Sequence, residues 1–297
     1  MQKILRSFYI IIGLLLTTNV NAQKVDVGLL LGTSYYYGDV VNEFVPSAFG
    51  PAVGGFLRYR LTDRLALKGF AGYIKISGDD QYSSSEWQKQ RNWTFETTIL
   101  EGSLQAEFNL IEDRNRGRRF ANPFIPYLFG GVGFISFNPQ GDYMGTMLDL
   151  APLQLSGKPY ETTAITVPFG IGFRYYIIRN LQIGAEFGIR YTNTSYLDDI
   201  APNDVYIDPA TSINPMLTNY FYSKSTANRN PGDLRSKMGD VKEASGSGGF
   251  DQMLGKTDLY FVNAITIAYT FSGSRGGTSG GGRSRGAGKA IRCPRFY

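Results

Sequence analysis

The chain has 297 residues, a net charge of +5 and no histidine. The absence of histidine excludes serine–histidine and cysteine–histidine nucleophile systems and removes the commonest ligand of transition metals. We therefore expect a protein that is not an enzyme and that uses no cofactor or metal. A single cysteine, Cys293, excludes an internal disulfide framework.

The N-terminus has the pattern of a secretory signal peptide. Lys3 and Arg6 precede an apolar run at residues 8–16, and small or tolerated residues lead to a cleavage site after Ala22. The apolar run is too short to cross a bilayer as a helix, which disfavours a retained anchor. We predict that residues 1–22 are removed on export.

After the signal peptide the sequence shows repeated two-residue alternation of apolar and polar side chains. This period is typical of strands with one apolar face. In the sixth segment, for example, Ile165, Val167 and Phe169 alternate with Thr166 and Pro168. The alternation predicts strands at residues 25–37, 52–61, 65–76, 94–110, 124–137, 163–177, 181–196 and 257–271.

The links between these segments alternate strictly in length. Short or moderate links lie at 62–64, 111–123 and 178–180, and long links lie at 38–51, 77–93, 138–162 and 197–256. Short periplasmic turns and longer outer loops are typical of up-and-down membrane barrels, whereas a soluble sandwich does not require them. We predict an all-β fold for residues 23–271: an eight-stranded antiparallel transmembrane barrel in the outer membrane, surrounded by lipid, with its N-terminus in the periplasm.

Charged side chains fall on the inward-facing positions of these strands. Because eight strands enclose a space that side chains just fill, such charges must pair. We favour a closed, salt-bridged lumen over the two alternatives, a conducting pore or a lumenal active site. The predicted lumenal residues, besides Asp26, are Arg58, Arg60, Lys68, Glu101, Glu107, Arg174, Glu186 and Arg190.

Two further sets of residues lie near the predicted strand ends. Tyrosines there suggest the aromatic girdles of a membrane barrel, and the acidic loop residues lack calcium-loop spacing and indicate solvated tips or turns. The tyrosines are Tyr35, Tyr37, Tyr175, Tyr191, Tyr196 and Tyr269, and the acids are Asp79, Asp80, Asp198, Asp199, Asp204 and Asp208.

The C-terminal segment, residues 272–297, is rich in glycine, serine and arginine. Its net charge is +6 and that of the signal peptide is +2. Because the net charge of the whole chain is +5, residues 23–271 carry a net charge of −3. Its composition predicts a disordered periplasmic linker followed by a short docking segment, with an inert tail as the alternative. Arginine–glycine repeats also occur in nucleic-acid binding, but an exported chain does not meet that partner. The predicted partner-binding residues are Arg114, Arg116, Arg118 and Arg119 in the second short turn, and Arg292, Cys293, Arg295, Phe296 and Tyr297 in the tail.

Several short motifs, in order along residues 25–271, resemble the PorG family of outer-membrane barrels from the type IX secretion and gliding machinery. The 197–255 loop is longer than the family pattern, and the Cys-Pro-Arg-Phe ending is also similar. The motifs are Tyr36-Tyr37-Gly38-Asp39, KISGDD at 75–80, PYLFGGVG at 126–133 leading to Phe137-Asn138-Pro139, VPFGIG at 167–172 and Tyr196-Leu197-Asp198-Asp199.

The resemblance implies a non-enzymatic role, in which the barrel anchors a periplasmic ring of a lipoprotein and its partner to the outer membrane. Cys293, an unpaired thiol in an oxidising compartment, points to an intermolecular disulfide with such a partner. The alternative function is a small OmpA-like or porin-like barrel that adheres to surfaces through its loops.

Overall fold

The computed structural model describes residues 25–38, 40, 48–83, 86–115, 122–200, 208–224 and 257–271. The predicted signal peptide and the tail at 272–297 lie outside these ranges. Nine strands are present within them: β1 (Val25–Tyr37), β2 (Gly50–Arg60), β3 (Leu65–Asp79), β4 (Thr94–Asn109), β5 (Phe124–Tyr143), β6 (Thr146–Asp149), β7 (Thr163–Ile178), β8 (Leu181–Thr192) and β9 (Leu259–Thr270).

Eight of the strands close into one antiparallel barrel. Each pairs with its neighbour in chain order, and the ring closes where β1 pairs with β9. The short β6 only forms a hairpin with the outer end of β5. The predicted eight-stranded up-and-down barrel is therefore confirmed.

The alternation of side chains explains why the sheet closes. Along β8 and β9, every second side chain is buried in the lumen and the others face outward. Large apolar side chains occupy many of the outward positions, for example Leu29, Leu104 and Phe134, which are 61%, 58% and 71% exposed. Such a continuous apolar exterior around a charged interior is the arrangement of a barrel that spans a lipid bilayer.

Strand lengths differ from the predictions mainly at the long-loop end. β3 continues to Asp79, since it pairs with β4 up to the Asp79–Thr94 position. β5 continues past its predicted end at Phe137 to Tyr143. Pro139 has no N–H to donate, but its carbonyl accepts the Leu150 N–H at 2.9 Å, so the proline fits within the strand.

β8 is shorter than predicted and ends at Thr192. The Asn193 side chain accepts the Ile165 N–H at 2.8 Å, and the Tyr196 N–H turns back to the Thr194 hydroxyl at 3.2 Å. These local bonds replace the strand ladder, because side chains of this kind compete with it for backbone donors. Tyr196 consequently stacks on Tyr160 at a 4.3 Å ring-centroid distance instead of standing in a girdle.

The described parts of the long loops contain two α-helices that the alternation pattern did not predict, α1 (Glu86–Arg91) and α2 (Pro215–Lys224). Together with the β5–β6 hairpin they form a cap over the long-loop end of the barrel. No helix in the described ranges is both long and apolar enough to cross a membrane.

Candidate functional site

The lumen holds a cluster of charged side chains, most of which lie in the half nearer the short turns; it is called here the lumenal cluster. All of its members are at most 3% exposed, and the positive and negative side chains are equal in number. Its members are Arg58, Arg60, Lys68, Arg174, Arg190, Asp26, Glu101, Glu107, Asp113 and Glu186.

Glu107 on β4 is the centre of this cluster. It accepts the Arg58 Nε–H at 2.7 Å and the Arg174 Nη2–H at 2.9 Å. The Lys68 ammonium lies 3.8 Å from its second oxygen. Since these cations come from β2, β7 and β3, one carboxylate joins opposite walls of the barrel.

Further pairs extend the cluster around the lumen. Lys68 donates to both oxygens of Glu186 at 2.6 and 2.7 Å, and the Tyr127 hydroxyl donates to Glu186 at 2.7 Å. Arg190 and Glu101 form a looser pair at 3.5 Å nearer the middle of the barrel. Every charge that was predicted to face inward therefore lies in the lumen beside a charge of opposite sign.

Rings inside the lumen pack against the same cations. The Arg174 guanidinium lies 4.4 Å from the centroid of Tyr127, and that of Arg58 lies 4.9 Å from Phe56. Cation–π contacts of this kind are stronger where water is excluded. They fill the space between ion pairs that could otherwise hold water.

The short-turn end of the lumen is closed by an ion pair and by the second short turn. Arg60 binds Asp26 at 2.5 Å and lies 3.8 Å from Asp113, a turn residue whose second partner is the Tyr176 hydroxyl at 2.6 Å. Asp113 is fully buried, although it falls in a link, where the alternation pattern gives no indication of burial. Its acidic side chain thus folds inward beneath the barrel mouth.

At the long-loop end the lumen is apolar and capped. The buried side chains Ile76, Phe95 and Ile99 belong to one hydrophobic core with Leu197 and Phe221 from the long loops. Loop residues of the last long link therefore enter the barrel mouth. Burial of this much apolar surface is the main force that holds the cap in place.

Three of the loop acids that were predicted to form solvated tips or turns, Asp80, Asp198 and Asp199, are instead buried and fix the cap. Asp79 does form a turn and Asp208 is exposed, and Asp204 lies outside the described residues. Asp80 binds Arg91 of α1 through two contacts at 2.6 and 2.7 Å and also accepts the Trp93 N–H at 2.8 Å. Burial raises the pKa of Asp80 above its ordinary value, although Arg91 opposes that shift. Asp198 accepts the hydroxyl of Tyr36 at 2.7 Å.

Asp199, the neighbour of Asp198 in the chain, is also buried. Asp199 receives a short hydrogen bond from the hydroxyl of Tyr160, and burial together with the Asp199 charge raises the pKa of that tyrosine. Asp198 and Asp199 are buried against hydroxyl donors from distant parts of the chain, Tyr36 of β1 and Tyr160 of another loop. Asp80 is buried against Arg91, which the fold of their shared loop brings to it. Among the described residues no group of three or more cysteine, aspartate or glutamate side chains could hold a metal ion.

The predicted partner-binding residues are only partly within the described structure. Arg114 lies at the second short turn, 63% exposed, and binds Glu112. The contact with Arg114 lowers the pKa of Glu112. The other predicted binding residues lie outside the described residues: Arg116, Arg118 and Arg119 of the turn, and Arg292, Cys293, Arg295, Phe296 and Tyr297 of the tail.

A family profile matches residues 5–217, which is more than half of the chain. The chain belongs to the DUF6089 family. The family is described as a domain of unknown function, so membership assigns no activity. No protein with a curated description matches the sequence.

Solved outer-membrane barrels have a similar architecture. The N-terminal barrel domain of Pseudomonas aeruginosa OprF is 12% identical, with 82% of this chain and 96% of that chain covered and a TM-score of 0.32. Neisserial surface protein A is 11% identical, with 83% and 96% covered and a TM-score of 0.36. A major outer-membrane protein of Thermus thermophilus is 12% identical, with 82% and 98% covered and a TM-score of 0.37. At these values the fold assignment rests on the strand pairing described above.

Proposed function

We propose that this protein is a non-conducting, non-enzymatic outer-membrane anchor of the type IX secretion machinery that holds a periplasmic ring of a lipoprotein and its partner. The observation that carries the proposal is the closed lumen. Ion pairs fill one half, and an apolar core with a cap fills the other. A barrel closed at both ends suits anchorage better than transport.

The position of the chain ends supports attachment at the periplasmic side. β1 begins and β9 ends at the short-turn end, where the Phe271 N–H bonds to the Val25 carbonyl at 3.1 Å. Phe271, the last described residue, therefore lies beside the turns. Short turns face the periplasm in barrels of this kind, so the tail and the turn that carries Arg114 would meet the same partner.

The assignment to the type IX machinery is supported by the sequence resemblance to the PorG family. Deletion of residues 272–297 tests it, because this removes the basic tail without touching a barrel strand. We expect the barrel to insert normally, shown by unchanged heat-modifiable mobility on gels, while the ring proteins no longer co-purify in mild detergent. Normal co-purification of the ring with the truncated barrel would contradict the proposed role of the tail.

Cys293 provides a separate test of the same contact. If its thiol forms the proposed intermolecular disulfide, non-reducing gels of whole membranes show a crosslinked species that Cys293→Ser abolishes. The Arg292→Lys variant is the matched control, since it keeps both the charge and the thiol. Crosslinked species that persist in Cys293→Ser would rule out this disulfide.

The second candidate function is adhesion through the outer loops, and one observation favours it. The cap exposes Met144, Ile213 and Met216 by 74%, 69% and 67%. Exposed methionines are common on surfaces that bind other proteins. Replacement of all three by serine should reduce adhesion of intact cells if the cap is an adhesin, and should leave it unchanged if the anchor proposal is complete.

Conductance distinguishes both functions from a porin. Purified protein in planar bilayers should show no steady ion current. A stable conductance in the wild type would contradict the closed lumen on which the anchor proposal depends.

A further inference from the structure

The outer wall of the barrel contains a groove where β4, β5 and β7 meet near the long-loop end. Its volume is about 540 Å³. Gly102 forms part of the floor, and a side chain added there would meet no atom within 4 Å. Phe134, paired with Gly102 across the strands, stands beside it 71% exposed and forms a wall.

The groove changes from polar to apolar along its length. Its upper row is Leu100, Ser136 and Thr163, which face one another across the three strands. The lower row lies two residues further along each strand, toward the middle of the membrane, and consists of Gly102, Phe134 and Ile165. Two hydroxyl groups therefore lie above an apolar channel.

The polar end of the groove lies at the boundary of the lipid-facing belt. On the same outer face, the next row above Leu100 and Ser136 contains Lys75, Thr98 and Asn138. Lys75 forms an ion pair with Glu96 at 2.5 Å. Since charged and amide side chains replace apolar ones at this level, it marks the membrane surface on the side of the long loops.

We infer that this groove binds an acyl chain of lipopolysaccharide, the glycolipid of the outer leaflet. Because the groove is continuous with the lipid-facing belt, its occupant comes from the membrane. The long loops place its polar end at the outer leaflet. The hydroxyacyl chains of this glycolipid carry hydroxyl and amide groups close to the sugar, and these groups match Ser136, Thr163 and the Asn193 amide at the polar end.

Hydrogen bonding at the polar end of the groove provides the selectivity for lipopolysaccharide over phospholipid. Ordinary phospholipid chains offer only ester carbonyl acceptors at that depth, whereas the hydroxyl and amide groups of hydroxyacyl chains can also donate to the oxygens of Ser136 and Thr163. An unpaired polar group at the edge of the lipid core is costly. The apolar floor supplies the affinity, because it removes acyl surface from the mobile bilayer.

The inference is tested with a variant in which a larger side chain fills the groove. Full-length protein is reconstituted in phosphatidylethanolamine–phosphatidylglycerol vesicles that contain lipopolysaccharide, extracted in mild detergent and analysed by native mass spectrometry for bound lipid. The Gly102→Leu variant should retain roughly tenfold less lipopolysaccharide than the wild type. The Gly69→Leu variant is the matched control: it also faces outward into open space, but it lies outside the groove.

Heat-modifiable gel mobility shows whether Gly102→Leu folds. If it does not, a second variant tests the inference without adding a side chain to the groove. Ser136→Ala combined with Thr163→Val keeps the shape of the groove and should lower lipopolysaccharide retention by roughly threefold. The inference is overturned if both folded variants retain as much lipopolysaccharide as the wild type. It is equally overturned if Gly69→Leu loses as much as Gly102→Leu, or if the wild type retains phospholipid in place of lipopolysaccharide.

Discussion

Replacement of Glu107 by glutamine should strongly destabilise the barrel. The substitution keeps the shape of the side chain but removes the negative charge that serves Arg58, Lys68 and Arg174. Arg58 keeps Asp26 at 3.5 Å and Lys68 keeps Glu186 at 2.6 Å. Among the described residues Arg174 has no other carboxylate within ion-pair distance.

Arg174 is therefore the cation that the substitution leaves without a carboxylate partner. Its Nη2 would keep Asn109 at 2.7 Å, but its Nε and Nη1 already lack hydrogen-bond partners within the described protein. Removal of one partner from a buried ion pair costs roughly 3–5 kcal/mol, because the remaining charge stays buried. We expect Glu107→Gln to lower the free energy of unfolding by an amount in that range.

The measurement is urea-induced unfolding of the barrel in lipid vesicles, followed by heat-modifiable gel mobility. Glu112→Gln is the control, since its carboxylate pairs with Arg64 and Arg114 at the exposed turn and its loss should produce no measurable change. The double variant Glu107→Gln with Arg174→Met should recover most of the lost stability, because no stranded cation remains. If Glu107→Gln matches the control, or if the double variant shows the sum of two independent losses, the proposed ion-pair network is wrong.

Three further predictions concern the cap, the wall and the outer hairpin. Asp80→Asn should remove the ion pair between Asp80 and Arg91 and raise hydrogen exchange across α1, at a local cost of roughly 1–3 kcal/mol, with the unfolding midpoint of the barrel unchanged; protected exchange in α1 would contradict this. Gly172→Ala should destabilise the barrel by roughly 1–3 kcal/mol in the same urea assay, because the new methyl group would lie 2.5 Å from the Tyr127 ring. An unchanged unfolding midpoint would contradict this and show that the ring moves aside freely. Hydrogen bonds from neighbouring amides lower the pKa of Asp149, so its stabilisation of the β5–β6 hairpin is present above about pH 4 and is lost as pH falls through the lowered value. Hydrogen exchange of the hairpin, corrected for its intrinsic pH dependence, should show this loss in the wild type and not in Asp149→Asn.

Period-two alternation was sufficient to predict the strands and their inward faces. Successive side chains of a strand point to opposite sides, so Arg174 and Glu186 could be assigned to the lumen from their positions alone. The alternation of short and long links then determined the up-and-down topology. Both kinds of information are local, so they did not show where strand ends shift through tertiary contacts: β3 and β5 continue because they find pairing partners, and β8 ends where side chains such as Asn193 take over backbone bonds.

The partners of the lumenal charges were decided by tertiary structure. Glu107 meets Arg58, 49 residues away, and Arg174, 67 residues away, because closure and register bring three strands to one level of the lumen. The cap follows the same rule. Asp80 and Asp198 resemble solvated loop acids in the sequence, yet they are buried, because the folded loop brings Arg91 to Asp80 and Tyr36 of β1 reaches Asp198. The sequence by itself thus determined which side chains face inward, whereas only the closed barrel decided which of them meet, since pairing depends on distances between strands that alternation does not encode.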